Sequence, residues 1–63
     1  MDSKYFLLIS RDTDIPETPE LVLKSYETYS ALWQELQDAL FLDPIRWYQI
    51  FWGDTLIMQR FVR

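Results

Sequence analysis

The chain has 63 residues, a net charge of −4, and neither cysteine nor histidine. This length predicts one small domain, residues 1–63, and we expect a complete small gene product, because the sequence starts at methionine and ends on a strand-like segment. Without cysteine or histidine, disulfides, thiolate metal sites and Ser–His or Cys–His nucleophile pairs are excluded. No apolar run approaches the roughly 20 residues of a membrane span. We therefore expect a cytoplasmic protein without a cofactor, a bound metal or membrane contact.

The first predicted element is a strand over residues 4–11. Its apolar residues occupy both alternating positions: Tyr5, Leu7 and Ile9 on one side, and Phe6 and Leu8 on the other. A strand that is apolar on both faces is typical of the interior of a sheet. We therefore predict that this strand is central.

A loop and a second strand follow. Residues 12–20 contain two prolines and four acids, which disfavour a regular element. Residues 21–27 read as a strand, and the alternative is a helical segment that merges with the element after it.

The helix is predicted over residues 29–41. Thr28 is suited to be its N-cap, because its hydroxyl can accept a hydrogen bond from a free amide of the first turn. The apolar positions follow helical spacing and comprise Tyr29, Leu32, Trp33, Leu36, Ala39 and Leu40. Asp43 precedes Pro44, and a residue before proline avoids the helical region, so the helix ends there.

The C-terminal segment predicts a β-hairpin, because aromatic and β-branched runs flank Gly53–Asp54. The full order is therefore β-β-α-β-β. We predict an α+β fold: an antiparallel sheet of about four strands with one amphipathic helix packed on one face.

A two-residue turn would place Trp52 opposite Thr55 and divide the hairpin into two faces. We predict that one face lies in the core, and it comprises Arg46, Tyr48, Ile50, Trp52, Ile57 and Phe61. The other face is the predicted protein-binding surface, and it comprises Trp47, Gln49, Phe51, Leu56, Met58 and Arg60. Trp47 would face Arg60 as a cation–π pair on that surface. The alternative is that these aromatic residues only complete a small core.

The acidic residues are concentrated in the middle of the chain. Residues 12–43 carry eight acids and one lysine, a local net charge of −7. The secondary candidate surface is the acidic set Asp12, Asp14, Glu17 and Glu20. The carboxylate oxygens of this set could bind calcium. The segment lacks the glycine and the spacing of an EF-hand loop, so a solvated acidic loop is the favoured interpretation.

These observations favour a non-enzymatic protein-binding module. We expect a small inhibitor or adaptor, of the type that phages and mobile elements encode, which binds a larger protein through the aromatic hairpin face. One alternative is an acidic nucleic-acid mimic that occupies a basic cleft, and its binding would be strongly salt-sensitive. Another is an obligate structural homodimer. The net negative charge disfavours direct nucleic acid binding.

Overall fold

The computed structural model describes residues 4–13 and 17–62. The elements in chain order are β1 (Tyr5–Arg11), β2 (Glu20–Tyr26), α1 (Tyr29–Leu42), β3 (Ile45–Trp52) and β4 (Thr55–Phe61). This order confirms the predicted α+β fold and shows residues 20–26 as a strand, not as an extension of the helix.

The four strands form one antiparallel sheet in the order β2-β1-β3-β4. β1 is therefore an interior strand, as its two apolar faces predicted. β2 and β4 form the two edges. The chain segments that are far apart in sequence, β1 and the C-terminal hairpin, become direct neighbours.

The helix α1 has the predicted N-cap and ends before Asp43–Pro44, as expected. The Thr28 Oγ1 accepts a hydrogen bond from the Ala31 amide at 3.2 Å. At the other end, the Asp43 amide donates to the Ala39 carbonyl at 2.8 Å, and Pro44 follows in the chain. The helix is one residue longer than the predicted 29–41.

The hydrophobic core lies between α1 and one face of the sheet. Leu32 and Leu36 are the fully buried helix residues, and they pack with five strand residues: Leu7, Ile9, Ile45, Tyr48 and Ile50. Tyr5 and Tyr29 meet edge to face, with ring centroids 5.6 Å apart. Trp33 stacks beside Tyr29 and stays exposed.

The hairpin turn is confirmed. Trp52 pairs with Thr55, and Gly53 has a φ of 63°, while no described residue other than glycine has a positive φ. A positive φ at the first central position only is the pattern of a type II′ turn, which favours glycine there.

The predicted pairing is wrong beyond Phe51 and Leu56. The register shifts by one residue, so that Ile50 pairs with Met58 instead of Ile57. Side chains alternate between faces with a period of two, so one extra residue moves every later side chain to the opposite face. Met58 and Arg60 consequently lie on the helix side of the sheet, and Phe61 lies on the side away from the helix.

The predicted core face therefore holds only in part. Tyr48 and Ile50 are buried, whereas Ile57, Phe61 and Trp52 are exposed. A second irregularity pairs Ser10 with Trp47 and Arg11 with Ile45, so Arg46 has no partner position on β1. Ile45 is buried there, and the predicted core residue Arg46 forms an ion pair with Asp12 instead.

The N-cap gives a direct test of the helix. We expect Thr28→Ala to lower the free energy of unfolding by about 1 kcal/mol, because an amide of the first turn loses its acceptor. Urea denaturation measures this change. Thr28→Ser is the control, since it keeps the hydroxyl, and an equal loss in both variants would contradict a capping role.

Candidate functional site

The face of the sheet that points away from α1 is the candidate site, and we call it the outer face. The pairing register assigns twelve residues to it, three from each strand: Phe6, Leu8, Ser10, Leu21, Leu23, Ser25, Trp47, Gln49, Phe51, Leu56, Gln59 and Phe61. They form three rows that run across all four strands. The row with Leu23, Leu8, Gln49 and Gln59 is in the middle.

The outer face is apolar and uncharged. Eight of its twelve residues are leucine, phenylalanine or tryptophan, and the other four are serine or glutamine. Leu21, Leu23 and Phe61 are 60%, 63% and 68% exposed. An antiparallel sheet with one solvated face normally carries polar residues there, so a face that is two-thirds apolar and uncharged indicates an interaction surface.

The charged residues near the outer face form ion pairs close to the strand ends. Lys4 contacts Glu27 at 3.3 Å, at the end of the sheet where β1 begins and β2 ends. Where β1 ends, Arg11 contacts Glu20 at 2.9 Å and Asp43 at 3.7 Å, and Arg46 pairs with Asp12. Exposed pairs of this kind add little stability, but they neutralise most of the charge at the ends of the sheet.

A polar pair occupies the middle row. The Gln49 Nε2 donates a hydrogen bond to the Gln59 Oε1 at 2.8 Å. Gln59 is opposite Gln49 because of the β4 bulge, which replaces the predicted Gln49–Met58 pair. The two amides orient each other and interrupt an otherwise apolar row.

The structure places the six predicted binding residues on two different faces. Trp47, Gln49, Phe51 and Leu56 lie together on the outer face, whereas Met58 and Arg60 lie on the helix side. The predicted Trp47–Arg60 cation–π pair is wrong: Trp47 faces Phe61, and Arg60 faces Tyr48.

The sequence-based prediction missed eight of the twelve residues of the outer face, and five of these are apolar: Phe6, Leu8, Leu21, Leu23 and Phe61. A signal for some of them was present. Leu21 and Leu23 occupy alternate positions of β2, so they share one face of the sheet.

The predicted acidic surface lies only partly within the described residues. Asp12 and Glu20 pair with arginines, Glu17 is exposed, and Asp14 lies outside the described residues. Within residues 4–13 and 17–62, no group of three or more acidic side chains is arranged to hold a metal ion.

A cleft of about 210 Å³ lies on the opposite side, between α1 and β2. Its apolar floor includes Leu7, Ile9 and Val22, and its rim carries Lys24 with Glu35, Asp38 and Asp43. Burial, together with the nearby Glu35 carboxylate, raises the pKa of the Tyr26 hydroxyl above its ordinary value. The cleft combines both charge signs around an apolar floor and does not focus charge of one sign.

Comparison with protein families, with curated proteins and with solved structures gives no match. In the described part of the chain, no helix has the length and apolar character needed to cross a membrane.

Ser10 tests whether a buried hydroxyl on the outer face lowers the stability of the fold. It is fully buried between Leu21 and Trp47 in its row, and its hydroxyl has no hydrogen-bond partner among the described residues. A buried hydroxyl without a partner costs free energy. We expect Ser10→Ala to raise the free energy of unfolding by about 1 kcal/mol, as measured by urea denaturation at fixed protein concentration.

Ser25→Ala is the matched control, because Ser25 is an exposed serine on the same face. We expect it to change the free energy of unfolding by less than about 0.5 kcal/mol. A loss of stability in Ser10→Ala would show that the Ser10 hydroxyl is hydrogen-bonded in solution, and would contradict this assignment.

Proposed function

We propose that this chain is a non-enzymatic protein-binding module whose outer face docks on a protein surface. The observation that carries the proposal is the uncharged apolar outer face on the side of the sheet opposite the helix. A face of this kind gains free energy when another surface removes it from water. Such a module acts by occupying the surface of its partner, which is how small inhibitors and adaptors work.

The exposed side chains at the two edges of the outer face supply much of the gain. Leu21, Leu23 and Phe61 each expose more than half of their surface. Covering such a side chain is worth about 1–2 kcal/mol. Trp47 and Phe51 lie partly exposed between them and offer rigid aromatic contacts of the kind that dominate interfaces.

Charge supports a protein partner over a nucleic acid. Aromatic residues on a sheet can stack on bases, but binding of the strand also requires cations for its phosphates. None of the twelve positions of the outer face carries lysine or arginine.

The same reasoning ranks the acidic-mimic alternative below the apolar surface. Asp12 and Glu20, two of the four acids predicted to form that surface, already pair with Arg46 and Arg11. Their carboxylates would have to give up these partners before they could contact a basic cleft.

Site-specific photo-crosslinking tests the proposal. A photoreactive phenylalanine analogue is placed at Leu23 or Phe61 on the outer face, and at Phe41 as the control. Phe41 is 88% exposed but lies on α1. In the cells that produce the protein, we expect protein adducts from positions 23 and 61 and at least tenfold fewer from position 41.

Equal yields from all three positions, or no protein adduct from positions 23 and 61, would refute the proposal. Salt separates apolar docking from the acidic-mimic mode of binding, because screening weakens the attraction between exposed charges and leaves apolar contacts intact. We expect the adduct yield at position 61 to change less than about twofold between about 0.1 and 0.5 M NaCl. A steep loss over that range would favour the acidic mimic.

A further inference from the structure

We infer that the occupant of the outer face is a second copy of this chain, so that two sheets pack face to face in a two-fold symmetric dimer. This inference rests on the proposed function, because it names the partner of the same surface. A symmetric interface brings one patch against itself, and the patch must therefore be complementary to itself.

Charge is the first argument for self-association. The chain has a net charge of −4, so most approaches of two copies are repulsive. On the outer face there is no charge, and the acids of α1, such as Glu35 and Asp38, lie on the opposite side of the sheet. Face-to-face packing keeps the two helices and their carboxylates on the far sides of the dimer. A dedicated surface for a charged partner would normally carry complementary charge.

Size is the second argument. Four strands spaced about 4.8 Å apart, with a rise of about 3.3 Å per residue, give a face of about 19 by 20 Å. Two such faces cover about 800 Å² of flat area, and the relief of the side chains raises the accessible area toward the range of about 1,200–2,000 Å² found in stable interfaces. Sheets stack about 10 Å apart, and two apolar faces fill that layer with side chains.

The third argument is β4, an edge strand in which all seven residues are exposed. No side chain of β4 belongs to the buried core described above. A second sheet across the outer face would cover Leu56 and Phe61 and give this strand a core of its own. Oligomerisation is a common route to stability for chains of this size that lack disulfides.

The fourth argument is the central glutamine pair. The hydrogen bond from Gln49 to Gln59 uses one donor of the first amide and the acceptor of the second. The Gln49 oxygen and the Gln59 amino group are left for other partners. Across a two-fold axis near the middle row, the acceptor of one copy can meet the donor of the other, so the polar pair is complementary to itself.

Light scattering on a sizing column tests the inference with the full chain. Over about a hundredfold range of concentration, we expect a mass of twice 7.7 kDa that falls toward 7.7 kDa only on dilution. Leu23→Lys and Phe61→Lys should weaken association at least a hundredfold, because each buries a lysine on both copies. Leu42→Lys and Phe41→Lys are matched controls at exposed α1 positions, and they should leave the dimer intact. Circular dichroism verifies that each variant is folded.

Gln49→Glu is a gentler test, because it changes charge with almost no change of shape. It places two carboxylates near the symmetry axis. We expect at least tenfold weaker association at pH 7 and recovery near pH 3.5, where protonation removes the added charge. The unsubstituted chain at both pH values is the control. Undiminished association of Gln49→Glu at pH 7 would overturn the placement of the axis near the middle row.

The outcomes distinguish this inference from the proposed function. A monomer at every concentration, with adducts from positions 23 and 61 to a different protein, would overturn the dimer and leave the docking surface standing. A dimer that the outer-face lysines do not weaken would place self-association elsewhere and overturn the inference. An absence of adducts to any protein, including the chain itself, would overturn both.

Discussion

The structure depends on one constraint: a single helix of 14 residues must cover a four-stranded sheet. The helix seats Leu32 and Leu36 against one side of the sheet, and that side becomes the core. The chain has no other described element that could cover the opposite side. Since β1 and the hairpin carry large apolar residues on both faces, the uncovered face remains apolar. The core and the candidate site therefore have the same cause: one helix covers only one of two apolar sheet faces.

The distribution of charge is consistent with this division. The acids and the lysine near the helix surround the cleft between α1 and β2, and the ion pairs of Lys4, Arg11 and Arg46 lie close to the ends of the strands. The outer face receives only apolar side chains, serines and glutamines. The protein is therefore acidic as a whole and yet neutral on the one surface best suited to association.

The β4 bulge has a larger effect than its single residue suggests. Without it, Arg60 would face Trp47 and place a cation on the outer face. With it, Arg60 faces Tyr48 on the helix side, and Phe61 takes the position opposite Trp47. The bulge also brings Gln59 opposite Gln49, where the two amides bond to each other. One extra residue thus removes a charge from the surface, adds an aromatic ring, and pairs two polar groups that would otherwise face apolar neighbours.

The sequence by itself determined the elements, because their signals are local. The Thr28 cap, the apolar spacing of α1, the Gly53–Asp54 turn and the two-sided apolar pattern of β1 each act over a few residues. Only the tertiary structure decided which residues share the outer face. Leu21, Leu23, Phe6 and Leu8 join Trp47 and Phe51 through strand pairing between distant segments. The bulge that moves Met58, Arg60 and Phe61 depends on hydrogen bonding between strands. Its register is set by how β3 and β4 fit together, so residue types along β4 alone do not specify it.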